Sequence, residues 1–318
     1  MSVLLEVKNL KKYFKSPRGL LHAVDDVSFT IREGNTLGVV GESGCGKSTL
    51  GRVVIKLLEA TAGQVLYEGV SILEQKHDDV LKQKMQMIFQ DPYASLNPRM
   101  SVSEIISEPL IIHKLCKGKT ALEEKTAELM DTVGLALRFA NSYPHELDGG
   151  RRQRVGIARA LSLNPKFIVC DEPVSALDVS IQAQILNLMQ DLQDSKGITY
   201  MFITHDLSVV KHISDEIMVM YLGQTVERCA SDELFDYPMH PYTKALLAAI
   251  PEPVVGKKKE RQLLKGEITS PINPEPGCRF AARCVHAEEV CFNENPVLDE
   301  VKPDHFVFCH RVREINQI

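Results

Sequence analysis

Along roughly the first 230 residues, short apolar runs alternate with longer stretches of helical period. Leu37-Gly38-Val39-Val40 is an apolar run that opens into a glycine-rich stretch, and Phe167-Ile168-Val169-Cys170 is another, closed by two acids. Thr199–Ile203 and Glu216–Met220 carry the β-branched and large apolar residues of buried strands. Helical periodicity marks Ala121–Asp131, Gln153–Leu163 and Ile181–Leu192. Strands that alternate with helices predict an α/β fold around a largely parallel, covered sheet. Val3–Val7 and Val27–Ile31 alternate apolar with polar residues instead, which predicts a small antiparallel β layer beside that sheet.

Past Ala230 the texture changes. A short helical stretch, Tyr242–Ile250, leads into Pro251-Glu252-Pro253, a basic run Lys257-Lys258-Lys259 that reads as a solvated linker, and the proline-rich Pro271–Pro276. The expected division is therefore 1–230 and 231–318. Composition narrows the class: 37 Lys and Arg against 42 Asp and Glu give a net charge of −5, without the basic face of a nucleic-acid coat. No run approaches the ~18 apolar residues of a membrane span, and the first residues lack a secretory pattern. A soluble intracellular protein that binds no nucleic acid is expected.

Gly41-Glu42-Ser43-Gly44-Cys45-Gly46-Lys47-Ser48 fits G-x-x-x-x-G-K-[ST] between a strand pattern and a helical one, with Thr49 next in the helix. Glycines let backbone N–H groups curl around phosphate oxygens, and the helix presents its positive end to the anion. Lys47 can reach the β- and γ-phosphates, and the Ser48 hydroxyl can ligate Mg²⁺. Cys45, inside the loop, reads as a small side chain that fits there. Four further patches follow in order: Gln90 after an apolar strand, Leu147-Asp148-Gly149-Gly150-Arg151 before a helix, Asp171-Glu172 at a strand end with Asp178 beyond, and His205 after Thr199–Ile203.

Five elements in this order resemble the ATP-binding-cassette (ABC) ATPases over about residues 1–230. The resemblance implies a P-loop NTPase fold with a mixed sheet core, a small antiparallel β layer, an inserted helical subdomain at about 94–160 and a C-terminal cysteine-rich extension. It implies ATP and Mg²⁺ as ligands, with the loop residues Gly41–Thr49 around the phosphates. Ser48, Gln90 and Asp171 would then serve Mg²⁺, Glu172 the attacking water, and His205 the γ-phosphate. Tyr13, with Phe14 beside it, matches the aromatic that stacks on adenine. ABC cassettes work as head-to-tail pairs, so Asp148, Gly149, Gly150, Arg151 and Asp178 are expected at the dimer seam. The family pattern resembles L-S-G-G-Q, and this chain departs from it at Asp148 and Arg151. A carboxylate facing the partner's γ-phosphate is repulsive. Either Asp148 weakens the partner's site, or it caps the following helix with Arg151 offsetting its charge.

Soluble ABC ATPases of repair and chromosome structure insert long coiled coils, and translation factors of the family carry two cassettes. Neither feature is present here, so a transporter motor is expected. Gln90-Asp91-Pro92-Tyr93-Ala94-Ser95-Leu96-Asn97-Pro98-Arg99, His240-Pro241-Tyr242-Thr243-Lys244 and the cysteine-rich tail resemble the F-type ATPase of dipeptide and oligopeptide importers. That resemblance implies a paralogous D-type ATPase, two permeases and an extracellular solute-binding protein as partners, with the chain peripheral on the cytoplasmic face of the membrane. Members that carry nickel or other small solutes keep the cargo open.

Of eight cysteines, Cys278, Cys284, Cys291 and Cys309 cluster near the end with spacing x5, x6 and x17. Four thiolates hold either a tetrahedral Zn²⁺ or a [4Fe–4S] cluster. The gaps exceed the C-x₂₋₄-C of structural zinc sites, and the resemblance points to iron–sulfur; His286 and His310 keep zinc open. A short, proline-rich segment is expected to have little apolar core of its own, which makes four unliganded cysteines the least favoured reading.

Overall fold

The computed structural model describes residues 2–74, 79–250 and 270–318. The expected Lys257-Lys258-Lys259 linker lies outside them. The chain packs as two compact units, Met1–Glu74 with Phe202–Ile318, and Gln75–Met201.

The first unit opens with β1 (Val3–Ser16) and β2 (Gly19–Arg32), then β3 (Thr36–Val40), α1 (Lys47–Val54), β4 (Ala62–Tyr67) and β5 (Val70–Ser71). Strands β2-β1-β4-β5 form the antiparallel layer that the alternation at both ends predicted. Each arm of its hairpin is far longer than the alternating segments. On β1, Leu5 and Val7 are buried at a spacing of two, and Leu10 would fall on the wrong face. A register irregularity between Val7 and Leu10, with Asn9 at φ 48°, returns Leu10 to the core.

The second unit contains α2 (Asp79–Lys84), β6 (Met85–Ile88), α3 (Pro92–Ser95), α4 (Val102–Ile112), α5 (Lys119–Thr132), α6 (Gly149–Leu161), β7 (Phe167–Asp171) and α7 (Val179–Lys196). β6 and β7 run parallel. α6 starts at Gly149, ahead of the expected Gln153, because two glycines with poor helix propensity hide its first turn from a pattern search. Gly150 serves packing: a Cβ there would stand 2.7 Å from Cγ2 of Ile181 on α7. α7 stops where Gly197 turns left-handed at φ 66°.

Along β8 (Thr199–Ile203) the chain returns to the first unit, which continues with α8 (Leu207–Ile213), β9 (Glu216–Tyr221), β10 (Gln224–Ala230), α9 (Ser231–Asp236) and α10 (Pro241–Ala248). The C-terminal segment adds α11 (Glu289–Asn293), β11 (Leu298–Lys302), β12 (His305–Phe308) and α12 (Val312–Asn316). β3 pairs parallel with β9, whereas β9, β10, β12 and β11 follow one another antiparallel, so the sheet of this unit is mixed.

The C-terminal segment does not lack a core, contrary to the expectation from its prolines. Phe280 joins the buried cluster of Val40, Tyr221 and Tyr242, and Val307 and Val312 pack with Met239. Residues 271–273 run along β2, with backbone bonds from His22 N–H to Pro271 and between Leu20 and Asn273. β12 is further held by a buried polar knot. The Glu227 carboxylate accepts from the N–H groups of Met239 (2.7 Å) and His240 (2.9 Å) and bonds His305 Nε2 at 2.8 Å. Glu233 stands 3.3 Å from the other ring nitrogen.

Burial alone would lower the His305 pKa, but the carboxylates of Glu227 and Glu233 outweigh it and hold it above the ordinary imidazole value. The stabilisation is thus complete below about pH 6.5 and lost as pH rises through the raised folded-state value. A His305→Gln variant should melt lower than wild type, by an amount largest near pH 6 and shrinking toward pH 9; a gap independent of pH would contradict the charged pair. Removing one buried partner should cost about 3 kcal/mol at the acid end.

Candidate active site

The glycine loop of the first unit joins β3 to α1. Gly46 caps α1 at φ 104°, and a Cβ there would lie 2.0 Å from the Ala23 carbonyl oxygen. Gly41, at φ 149°, is likewise backed by Met220, whose carbonyl oxygen a Cβ would meet at 2.2 Å. No side chain caps α1, and a helix start of this kind turns its positive end toward an anion. Lys47 is buried, and its ammonium donates to the carbonyls of Gly41 (2.7 Å) and Glu42 (3.0 Å) and lies 3.7 Å from Cys45 Sγ. Cys45 is buried and burial raises its thiol pKa despite Lys47, as befits a small side chain filling the loop. Ser43 and Gly44 are exposed at the loop tip, and Ser48 and Thr49 follow in the first turn of α1.

His205 belongs to the same unit. The Thr204 N–H donates to the Val39 carbonyl at 3.1 Å, which sets the residue after β8 beside the strand that carries the loop. Tyr13 stacks on His22 with ring centroids 3.9 Å apart, and its hydroxyl donates to Asp25. Phe14 packs under the Lys12 ammonium instead, 4.9 Å from its ring centroid. Burial acts to raise the Asp25 carboxyl, yet the bonds from Tyr13 and His22 and the charge of Arg279 hold it below the usual carboxylate range.

In the second unit, parallel register pairs Ile88 with Cys170, and two residues further on Gln90 Nε2 donates to Glu172 Oε2 at 2.9 Å. Asp171 ends β7 fully buried, and Glu172 turns into the left-handed region at φ 47°. Glu172 is no glycine, and such a backbone costs about 1–3 kcal/mol, a cost that clusters at functional sites. Asp91 caps α3, accepting from the N–H groups of Tyr93 and Ala94. Asp148 caps α6: one carboxylate oxygen accepts the Arg151 N–H at 2.8 Å, the other the Arg151 guanidinium at 2.7 Å. Its charge is thus matched within its own turn. Asp178 caps α7, accepting from Ile181 N–H (3.0 Å) and Ser180 Oγ (2.7 Å), and these bonds lower its pKa.

Tyr242, named above only within a family stretch, and Arg279 and Arg283, which sequence reasoning did not single out, reach the glycine loop or the carboxylate partner of Tyr13. The Tyr242 hydroxyl accepts the Glu42 N–H at 2.9 Å, Arg283 clasps the Glu42 carboxylate, and Arg279 pairs with Asp25. No spacing signal links positions 42 and 283. The four tail cysteines line one cavity with Phe280, His286 and His310, and none forms a disulfide. Burial pushes the Cys278 thiol up to about 12 and raises those of Cys284 and Cys309. Among the described residues, no three His, Cys, Asp or Glu side chains converge tightly enough for a single metal ion.

Comparison with known proteins decides the family. Residues 24–175 match the ABC transporter model, and residues 226–291 the model for the C-terminal region of oligopeptide/dipeptide transporters. The oligopeptide transport ATP-binding protein OppF of Bacillus subtilis is 54% identical over 309 residues, covering 96% of each chain. The chain belongs to the oligopeptide/dipeptide ABC transporter ATP-binding family. The dipeptide transport ATP-binding protein DppF of Haemophilus influenzae is 48% identical over 97% of both chains. A dimeric ATP-binding cassette solved in a post-hydrolysis state with ADP and phosphate superposes with a TM-score of 0.66 at 30% identity, over 72% of this chain and 99% of its own. This ABC cassette is an ATPase of the P-loop fold, with a mixed sheet and flanking helices. Among the described residues no helix is long and apolar enough to cross a membrane.

The cap at Asp148 makes a stability forecast. Asp148→Ala should cost about 1 kcal/mol in chemical denaturation, whereas Asp148→Ser, another good cap, should stay within about 0.5 kcal/mol. Equal losses in the two variants would show that the carboxylate is doing something other than capping.

Proposed function

We propose that this chain is the F-type motor of a peptide importer, coupling ATP binding and hydrolysis to movement of di- or oligopeptides through partner permeases. The family match, which runs through both the cassette and the C-terminal region, carries this reading. In it Lys47 and the loop amides of Gly41–Thr49 bind the phosphates, Ser48, Gln90 and Asp171 serve Mg²⁺, and Tyr13 stacks on adenine. Glu172, held by Gln90, takes a proton from the attacking water, and His205 contacts the γ-phosphate. Positioning and charge carry the rate in such phosphoryl transfer. Asp148 and Asp178, exposed at the starts of α6 and α7, with Gly149, Gly150 and Arg151 beside Asp148, face a paralogous D-type ATPase in a head-to-tail pair. Two permeases and an extracellular binding protein complete the complex, which keeps this chain on the cytoplasmic face of the membrane.

Reconstituted with those partners, the complex should hydrolyse ATP faster when its binding protein delivers peptide. Stimulation by nickel or another small solute instead would overturn peptide as the cargo. In the same complex Glu172→Gln should lower hydrolysis by about 10²-fold or more while ATP affinity changes little.

The tail is proposed to hold a [4Fe–4S] cluster through Cys278, Cys284, Cys291 and Cys309. Four unbridged thiols around one cavity fit such a group. When bound, the cluster would supply a structural cross-link with a redox-active centre. Anaerobically purified protein should contain about four iron and four sulfide per chain; one equivalent of zinc without sulfide would refute it.

A further inference from the structure

Seven residues of the C-terminal segment, Cys278-Arg279-Phe280-Ala281-Ala282-Arg283-Cys284, reach two places that the cassette reading assigns to opposite ends of a nucleotide. Arg283 is almost fully buried and forks onto Glu42, with Nη1 to Oε2 at 2.7 Å and Nη2 to Oε1 at 3.0 Å. Glu42 is the second residue of the glycine loop and is held at all three of its polar groups. Its N–H donates to Tyr242, its carbonyl accepts from Lys47, and its carboxylate accepts from Arg283. A free carboxylate in a polyphosphate-binding loop repels the ligand, and a bidentate guanidinium both cancels its charge and fixes its direction. The bond to Glu42 holds the Arg283 pKa above its ordinary value, so the guanidinium stays charged.

Four residues earlier, Arg279 donates to Asp25 and to the Leu222 carbonyl. Asp25 is the carboxylate on which the Tyr13 hydroxyl rests, and His22 both bonds it at 3.1 Å and stacks on the Tyr13 ring. Arg279 thus fixes Tyr13 through Asp25, as Arg283 fixes the loop through Glu42.

We propose that Arg279 and Arg283 are positioning residues for nucleotide binding, Arg279 for the base and Arg283 for the phosphates. The C-terminal segment then tunes both ends of the site from outside the cassette motifs. The proposal rests on the reading that Tyr13 receives adenine and the glycine loop the phosphates.

Titration of the full chain with Mg²⁺-ATP and with inorganic tripolyphosphate separates the two roles. Arg279→Ala should weaken ATP about 5–10-fold and leave tripolyphosphate within about twofold, the range of a stacking contact. Arg283→Ala should weaken both about tenfold, and adding Glu42→Gln should recover most of that loss by removing the uncompensated carboxylate. Arg283→Lys, which keeps the charge and loses the fork, should fall between wild type and Arg283→Ala. Equal loss of both ligands in Arg279→Ala, or no rescue by Glu42→Gln, would overturn the proposal, since a merely structural role predicts those results. Tyr13→Ala is the control. If it leaves ATP affinity unchanged, the adenine reading of Tyr13 fails; if it selectively weakens ATP while Arg279→Ala does not, the positioning role fails.

Discussion

Phe280 packs edge-on against Tyr221, with centroids 5.3 Å apart, and tilted against Tyr242 at 5.4 Å, while the two tyrosines meet at 4.8 Å. All three rings are buried. Each such pair adds about 0.5–1.5 kcal/mol beyond area burial, and truncating a buried Phe costs about 3–5 kcal/mol. Much of the first unit depends on this contact. Tyr221 ends β9, the strand parallel to β3 beneath the glycine loop, and Tyr242 supports Glu42. Phe280 brings with it the two arginines on its flanks and the cysteines beyond them. The aromatic knot converts a chain segment remote in sequence into a wall of the loop.

Around that knot the polar groups are paired within a low-dielectric setting, where a missing partner is costly. Lys47 rests on loop carbonyls, Glu42 on Arg283, and Asp25 on Tyr13, His22 and Arg279. His240 behaves differently. Burial pushes its pKa down to about 4, and its neutral Nδ1 accepts the Tyr242 N–H at the start of α10. Where backbone strain is tolerated it has local support: Gly46 has no room for a side chain, and Glu172 receives Gln90.

The strands β3, β7, β8 and β9 were legible because a short, continuous apolar run suits a strand covered on both faces, and glycines or acids mark where it leaves the core. The helices were legible in their middles and not at their starts, since α6 begins on Gly149-Gly150 behind an aspartate cap. The glycine loop was legible outright, its residue types being dictated by positive φ and close backbone approach. The cap formed by Asp148 was legible as one of its two possible roles, and the structure shows it in the bonds from the Arg151 N–H and guanidinium. Not legible were β11 and β12, whose polar residues lack a clean alternation because β12 finds its partner in β10.

By itself, the sequence determined the chemistry: a phosphate-binding loop, an acid pair at a strand end, an ordered set of motifs and four clustered cysteines. Such features rest on local backbone geometry and fixed spacing, which a linear pattern records. Only the tertiary structure decided that the cysteine segment shares the core of the glycine loop, and that Arg283 answers Glu42 across more than two hundred residues. An arginine's partner depends on which buried carboxylate its backbone is carried to. That placement was set by where Phe280 could bury its ring.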